Sequence, residues 1–312
     1  MSKNILVTGG AGYLGSTLVG HLLRQGYRVT VLDNLLYGYA SLLGYCHDPH
    51  FDFVLGDVRD ERVMRDLIGK HDVIIPLAAI VGMKACDRDP LMTQSVNYEA
   101  IALLNRLRSP SQPVIMPCTN SGYGTQSGDV YCTEETPLEP ISLYGVTKVN
   151  AERELLNSPN TISIRLATVF GPSPRMRLDL LVNDFTYRAV TDGFLVIYEK
   201  DFKRNYVHIE DVAECFCYCI EHFDEMKGEA YNFGLDEANL SKAELSAKIK
   251  EYVPSLYVHF AEVGHDPDRR NYIVSNDKIK RKGLAAHHSL DEGIQQLLKV
   301  YRMMPRSNFK NA

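Results

Sequence analysis

The 312-residue sequence lacks an apolar run near the roughly 18 residues that a membrane-spanning helix needs. A strand-like segment begins within the first few residues. An export signal would instead have a cluster of basic residues followed by an apolar core at this position. It also lacks a large excess of one charge, with a formal net charge of −5. We therefore expect a cytoplasmic protein with no membrane partner and no nucleic-acid partner.

Cysteine is present but is not spaced for a metal site or a disulfide framework. None of the seven cysteines forms a Cys-x-x-Cys pair. Cys215, Cys217 and Cys219 alternate within an apolar stretch that follows an acid-rich start, which predicts a buried helix with cysteine as a small core residue. The sequence therefore predicts no bound metal.

The first fifteen residues place a glycine-rich turn between a strand and a helix. The aliphatic run Asn4–Thr8 ends at this turn, and helical periodicity begins at Ser16. Glycines lack a Cβ, so the backbone can approach a pyrophosphate at the N-terminus of the helix, where free N–H groups favour anions. The turn residues expected at the cofactor are Gly9, Gly12, Tyr13, Leu14 and Gly15.

A second aliphatic strand ends in an acidic residue, Asp33, about 20 residues beyond the glycines. A carboxylate at this place can bind the ribose hydroxyls of the adenosine and repel a 2′-phosphate. The pattern predicts a dinucleotide site that prefers NAD to NADP.

Strand-like and helix-like segments alternate through the first half of the chain. Strands are predicted at 28–33, 51–55, 72–76, 113–117 and 162–166, and helices near 60–69, 91–107 and 143–157. Alternation of this kind predicts an α/β fold, a doubly wound parallel sheet of the Rossmann type, with a second, smaller substrate lobe.

The regular alternation fades after Gly171, which sets the expected domain boundary. We predict a dinucleotide-binding domain over 1–170 and a sugar-nucleotide-binding lobe over 171–312. Part of 206–234 is expected to return to the main sheet through Val207–Ile209 and Tyr231–Phe233.

Tyr144 and Lys148 lie four residues apart in a predicted helix and therefore on one face. A phenol with a pKa near 10 becomes a useful base at pH 7 only if the pKa falls by about 3 units, or roughly 4 kcal/mol. A fixed ammonium and a positive nicotinamide can supply this. Thr119, at a strand end, can bind the same substrate oxygen. We predict alcohol oxidation in which Tyr144 takes the hydroxyl proton while a hydride goes to NAD.

These motifs resemble the extended short-chain dehydrogenase/reductase family, the NAD-dependent sugar-nucleotide epimerases and dehydratases. The resemblance spans nearly the whole chain and rests on Thr8–Gly15, Asp33-Asn34-Leu35, Gly56-Asp57-Val58, Leu77-Ala78-Ala79, Val96-Asn97, Thr119–Gly124, Tyr144–Lys148 and Arg204–Ala213. It implies that Asp57 and Val58 hold the adenine and that Asn97 lies beside the cofactor. Asn34, Leu35, Leu77, Ala78 and Ala79 are also expected to border the cofactor.

The resemblance implies a nucleotide-diphosphate sugar as the substrate. Arg204 would bind the diphosphate, against the alternative of a solvated surface arginine. Arg269 or Arg270 would form a second clamp, and Arg175 and Arg177 are further candidates. The substrate residues expected on this basis are Ser121, Thr168, Arg177, Arg204 and Arg270.

The sequence departs from the dehydratases directly after Thr119. Dehydratases of the family carry an Asp-Glu pair there, whereas this chain has Asn120 and Ser121. An amide cannot exchange a proton at a useful pKa, and a serine is a poor acid without a partner. We expect Asn120 to hold the loop, and we expect oxidation at C4, by a 4-dehydrogenase or a 4-epimerase. The alternatives are a 4,6-dehydratase and a non-catalytic NAD-binding regulator.

Two finer expectations come from the second half of the resemblance. Arg165–Gly171 and Met176–Phe185 look like a bacterial capsule polysaccharide branch that includes GDP-heptose 4-dehydrogenases. The helices at 91–107 and 143–157 have more apolar residues than one sheet face needs, and the matching helices of similar proteins pair as a four-helix bundle. We therefore expect a homodimer.

Overall fold

The computed structural model describes residues 2–126, 131–262 and 270–304. Its strands are β1 (Asn4–Thr8), β2 (Arg28–Asp33), β3 (Phe51–Leu55), β4 (Val73–Pro76), β5 (Val114–Thr119), β6 (Tyr131–Cys132), β7 (Thr161–Leu166), β8 (Thr168–Phe170), β9 (Phe194–Ile197), β10 (Lys203–His208), β11 (Glu229–Phe233), β12 (Asn239–Ser241), β13 (Tyr257–Phe260) and β14 (Ile273–Val274). The first five strands match the predicted segments to within two residues at either end.

Helices follow most of these strands. They are α1 (Tyr13–Arg24), α2 (Glu61–Ile68), α3 (Met83–Arg88), α4 (Pro90–Gln94), α5 (Ala100–Leu107), α6 (Leu143–Leu156), α7 (Leu181–Thr191), α8 (Ile209–Glu221), α9 (Phe223–Met226), α10 (Lys242–Tyr252), α11 (Asp277–Lys280) and α12 (Leu290–Met303). A π-helical turn, Ser95–Glu99, joins α4 to α5. Among the described helices, none is long and apolar enough to span a membrane.

The central sheet has seven parallel strands in the order β3-β2-β1-β4-β5-β7-β11. This confirms the predicted doubly wound parallel sheet. The strand order reverses between β1 and β4, and ligands of such sheets bind in the crevice at the carboxyl ends of the strands beside that point. The sheet therefore places the glycine turn after β1 next to the loop after β4.

One predicted return to the main sheet is wrong and the other is confirmed. Tyr231–Phe233 lie in β11, at the edge of the main sheet. In contrast, Val207 lies in β10, which pairs with β8 and β12 in a separate three-stranded sheet, and Ile209 begins α8. The run around Val207 is buried on both faces, so its apolar character does not say which sheet it joins.

Helices cover both faces of the main sheet. Alternate residues of β1 point to opposite faces, so Ile5 packs with α1 and α8 while Leu6 packs with α2, α5 and α6. The three alternating cysteines lie buried in α8, as predicted. A separate apolar cluster, which includes Phe170, Val182 and Leu245, forms the core of the second lobe. The division of the chain at residue 170 stays a prediction.

The apolar residues that suggested a dimer interface are used inside the subunit. Seven such residues suggested the interface. Five of them, Ile101, Leu103, Leu104, Val149 and Leu155, are buried, whereas Leu107 and Leu156 are half-buried. The premise of surplus apolar surface on these helices is therefore wrong for these five side chains, because they fill the space between the helices and the sheet. The homodimer stays a prediction from the resemblance.

A buried ion pair fixes α6 to the sheet. Arg165 of β7 donates to Glu152 of α6 across 2.8 Å, and both side chains are less than a tenth exposed. Ser163 donates to the same carboxylate at 2.6 Å, and Arg165 also donates to the phenol oxygen of Tyr123 at 3.1 Å. Because every partner is shielded from water, removal of one charge would leave the other unpaired in a medium of low polarity.

Replacing Glu152 with glutamine should lower the free energy of unfolding by about 3–5 kcal/mol, since Arg165 would keep its charge without a counter-ion. The matched control is Glu61→Gln, which breaks the exposed pairs with Arg65 and Arg106 and should cost less than about 1 kcal/mol. Urea unfolding of the three proteins measures both values. Equal losses for the two variants would contradict the role given to the buried pair.

Candidate active site

A cavity of about 820 Å³ opens at the carboxyl ends of the central strands and is lined by residues of both lobes. The predicted cofactor residues in its wall are Gly9, Gly12, Tyr13, Leu14, Gly15, Asp33, Asn34, Asp57, Val58, Leu77, Ala78 and Ala79. The predicted catalytic and substrate residues in its wall are Thr119, Ser121, Tyr144, Lys148, Thr168, Arg177, Arg204 and Arg270. Arg269 falls outside the described residues.

The glycine turn leaves no room for a side chain at two of its glycines. Gly9 has a φ of +73°, and a Cβ there would lie 2.5 Å from the backbone nitrogen of Ala78. A Cβ on Gly15 would lie 2.5 Å from the carbonyl oxygen of Gly9. Gly12 precedes α1 without capping it through a side chain, so the helix N-terminus keeps free N–H groups for an anion. The turn therefore needs its glycines both for packing and for access to the backbone.

Asp33 holds the turn as well as facing the cavity. Its Oδ2 accepts a hydrogen bond from Ala11 N at 2.9 Å, and its Oδ1 accepts one from Leu35 N at 2.8 Å. Burial raises the pKa of this carboxyl, and the backbone N–H donors oppose the shift. The carboxylate is thus pre-positioned at the end of β2, where the sequence predicts contact with the ribose.

Two predicted cofactor residues, Leu35 and Asn97, lie outside the cavity wall that the described residues form. Leu35 packs against the core below α1. Asn97 lies in the π-helical turn, accepts from Ile80 N at 2.8 Å, and donates to Ile80 O at 2.9 Å. It therefore fixes the loop after β4, which borders the cavity, through backbone contacts that a sequence motif does not reveal.

Helix α6 brings the predicted catalytic groups into the cavity. Ser142 caps this helix by accepting from Gly145 N at 3.1 Å. Tyr144 and Lys148 then face the cavity one turn apart, and Lys148 is 4% exposed. Thr119, at the end of β5, donates to the hydroxyl of Ser121 at 3.0 Å. The three predicted catalytic residues therefore line one cavity.

The electrostatics around Tyr144 differ from the prediction. Burial raises the pKa of Tyr144 to about 12, and the positive charges of Arg177 and Arg270 oppose this shift. Burial also lowers the pKa of Lys148. The sequence predicted that Lys148 and a nicotinamide would lower the pKa of Tyr144. In the protein without cofactor, burial has the larger effect and raises this pKa, and the positive charges that oppose the increase belong to Arg177 and Arg270.

Arg177 also lines the cavity, and its positive charge acts on Tyr144. It forms a two-pronged ion pair with Asp179, with Nη2–Oδ2 at 2.7 Å and Nε–Oδ1 at 3.2 Å. Burial alone would lower the pKa of Arg177, but Asp179 raises it overall. Asp179 was not predicted; its nearness to Arg177 in the sequence is a signal for an ion pair, which forms here across the turn that begins at Leu178.

Arg204 and Arg270 reach the cavity from the second lobe. Arg204 is 3% exposed and its guanidinium lies 5.7 Å from the ring centre of Tyr272, so the alternative of a solvated surface arginine is wrong. Arg270 donates to the hydroxyl of Ser121. Lys242 also lines the cavity and was missed by the sequence analysis.

Asn120 does not have the predicted role. It is fully buried and does not belong to the cavity wall. Among the described residues, neither its Nδ2 nor its Oδ1 has a hydrogen-bond partner. It therefore does not hold the loop through its amide; the hydrogen bonds in this loop run between Thr119 and Ser121.

Two known proteins match this chain over nearly their whole length, one by sequence and one by structure. It is 30% identical over 314 residues to the low-salt glycan biosynthesis protein Agl12 of Haloferax volcanii, a match that covers 96% of this chain and 98% of that protein. The UDP-glucose 4-epimerase of Thermotoga maritima, solved with UDP-glucose, superimposes with a TM-score of 0.83 at 26% identity, covering 96% of this chain and 99% of that one.

A further solved structure has a TM-score of 0.84 at 23% identity and covers 97% of both chains; it is the dTDP-glucose 4,6-dehydratase of Bacillus anthracis in complex with NAD. At that identity the similarity shows the fold alone. The model of the NAD dependent epimerase/dehydratase family matches residues 5–234. The chain therefore belongs to the NAD-dependent epimerase/dehydratase family, which confirms NAD as its cofactor.

Proposed function

We propose that this enzyme oxidises the C4 hydroxyl of a nucleotide-activated sugar, with Tyr144 as the base. The observation that carries the proposal is the meeting of Thr119, Tyr144 and Lys148 in the same cavity as the glycine turn. A non-catalytic NAD-binding protein has no need of all three groups at this place. That alternative is therefore disfavoured.

The chain's own groups would act on the C4 hydroxyl in defined ways. Thr119 and Tyr144 hold the oxygen between the ends of β5 and α6, and Tyr144 accepts its proton. Arg177 and Arg270 stabilise the phenolate against the effect of burial. NAD, when bound, supplies the acceptor for the hydride.

The cationic side of the cavity suits a diphosphate. Arg204 is buried, lines the cavity and lies over the ring of Tyr272, which holds the guanidinium in place. A fixed, weakly hydrated guanidinium is well matched to phosphate oxygens. The Thermotoga maritima enzyme was solved with UDP-glucose, which supports a nucleotide-diphosphate sugar as the substrate class here.

Elimination of water, the dehydratase reaction, has less support. It needs an acid and a base near C5 and C6, and neither of the two residues directly after Thr119, Asn120 and Ser121, carries a carboxyl group. Asn120 lies outside the cavity wall, and the hydroxyl of Ser121 already contacts Thr119 and Arg270. The net reaction is thus a 4-dehydrogenation or a 4-epimerisation, and both begin with the same oxidation.

Four finer statements stay predictions. They are the cytoplasmic location, the homodimer, the capsule polysaccharide branch and its GDP-heptose substrate. The branch rests on the motifs at 165–171 and 176–185. The second motif contains Arg177 and Asp179, which both line the cavity. These side chains are therefore candidates for contact with the sugar.

Replacing Tyr144 with phenylalanine should lower turnover by about 10²–10⁴-fold and leave NAD bound, because only the proton acceptor is removed. The assay uses a panel of UDP-, GDP- and dTDP-sugars, with products identified by mass and by NMR. The matched control, Asn120→Ala, should stay near wild-type turnover, since its amide makes no hydrogen bond to the loop. A product lighter by one water, or an Asn120→Ala enzyme as inactive as Tyr144→Phe, would contradict the proposal.

The pH dependence of kcat/KM should report the charges beside Tyr144. Arg177→Met removes a positive charge that favours the phenolate, so the pKa of Tyr144 rises and the acidic limb moves to higher pH. Asp179→Asn removes the opposing negative charge and should move the limb to lower pH. Each shift should be about one pH unit, the order for a charge several ångströms away at an effective dielectric constant near 20. Shifts of the same sign in both variants would rule out this electrostatic role.

Selectivity for NAD over NADP should depend on the charge of Asp33. Asp33→Asn keeps an oxygen that can accept from Ala11 N but loses the charge that repels a 2′-phosphate. The ratio of NAD to NADP affinity should therefore fall by at least about tenfold, which isothermal titration calorimetry measures. An unchanged ratio in Asp33→Asn, or equal wild-type affinities for the two cofactors, would remove the assignment.

A further inference from the structure

The loop at residues 171–177, here called the arginine loop, leads from β8 of the second lobe to the cavity. It carries Arg175 and Arg177, and both line the cavity. Arg175 lies over the ring of Tyr37, on the loop that follows Asp33, with 4.4 Å between the guanidinium carbon and the ring centre. The arginine loop therefore bridges the cofactor side and the sugar side of the cavity.

Tyr13 connects this loop to the glycine turn. It is the first residue of α1, and its side chain is almost fully buried. Its phenol donates to the carbonyl oxygen of Gly171 at 2.7 Å and accepts from Asn183 Nδ2 at 3.2 Å. Ser173 donates in turn to the carbonyl oxygen of Tyr13 at 2.7 Å. Both the side chain and the backbone of Tyr13 are thus bonded to the arginine loop.

Asn183 of α7 closes the same network from the second lobe. It is fully buried, accepts from Gly171 N at 3.1 Å and donates to Arg177 O at 2.9 Å. The two ends of the arginine loop are therefore fixed by one side chain, which is itself bonded to Tyr13. Burial raises the pKa of Tyr13, so its phenol stays a donor at ordinary pH.

We propose that Tyr13 is a positioning residue that couples the two halves of the site: NAD bound at the glycine turn orders the arginine loop and so prepares the sugar-nucleotide side. The cofactor would contact the backbone of the turn, and the phenol passes any ordering of the turn to Gly171. Phenylalanine at this position would keep the packing but lose both bonds of the phenol. The identity of the second ligand rests on the proposed function, whereas the ordering of the loop by NAD does not.

A matched control is needed to distinguish coupling by the Tyr13 phenol from a simple contribution to stability, and Tyr301 provides it. Tyr301 is also buried, and its phenol donates to the backbone oxygen of Asn183 at 3.0 Å. It therefore bonds to the same residue without touching the glycine turn. Tyr13→Phe and Tyr301→Phe should lose comparable stability, but only the first should break the coupling.

Hydrogen exchange of the full-length protein, with and without saturating NAD, tests the ordering. In the wild type and in Tyr301→Phe, NAD should slow the exchange of peptides that span 171–179 by at least about fivefold. In Tyr13→Phe, NAD should still protect the glycine turn but should protect 171–179 much less than in the wild type, because the phenol's two bonds are lost, although the bond from Ser173 to the backbone of residue 13 remains. Wild-type protection of 171–179 in Tyr13→Phe, or no protection in the wild type, would overturn the proposal.

Titration calorimetry with UDP, GDP and dTDP tests the consequence for the second ligand. For the diphosphate that binds, NAD should tighten wild-type affinity at least about fivefold, and the ratio should fall towards one in Tyr13→Phe but not in Tyr301→Phe. A wild-type ratio of one would contradict the coupling. If none of the three binds, the proposed substrate class fails, and the exchange experiment still decides the role of Tyr13.

Discussion

The buried ion pair between Glu152 and Arg165 is the constraint on which the site depends. It joins the helix that carries Tyr144 and Lys148 to β7, the strand next to the edge of the main sheet. Arg165 also bonds to Tyr123, whose phenol donates to Asn232 of the edge strand at 2.7 Å. The loop after β5, the catalytic helix and the sheet edge are therefore one bonded unit. A helix held only by apolar packing could slide, and a base must keep its distance from the substrate oxygen.

Most of the fold could be predicted from the sequence because parallel strands are buried on both faces. Such strands appear as short, continuous apolar runs, and β2, β3 and β4 are found where those runs lie. The membership of the cavity wall could be predicted for the same reason. The carboxyl ends of parallel strands meet at one edge, so the residues directly after β1, β4 and β5 come together, and their side-chain directions are not needed to predict this.

The roles of individual side chains could not be predicted, because they depend on where each side chain points and which group it bonds to. Asn97 and Asn120 are close in the sequence to residues that line the cavity, but their amides differ in their partners. The Asn97 amide bonds to the backbone of Ile80, and the Asn120 amide makes no hydrogen bond among the described residues. Arg177 was one of several candidate substrate residues, and the sequence did not predict its ion pair with Asp179 or the effect of its charge on Tyr144. Val207 was assigned to the main sheet but lies in the smaller, three-stranded one. An apolar segment that is buried on both faces can belong to a strand of either sheet, so the sequence does not decide between them.

The energetics of Tyr144 link these contacts to the cofactor. Burial of the phenol works against its use as a base, and the arginines that oppose this effect come from the second lobe. Arg177 is held there by the backbone bond to Asn183, which also bonds to Tyr13 beside the glycine turn. The position of the charge that favours the phenolate is therefore tied to the segment that receives the pyrophosphate. If Tyr144 is the base and NAD orders the arginine loop, as proposed, the base has its fullest electrostatic support when the cofactor is bound.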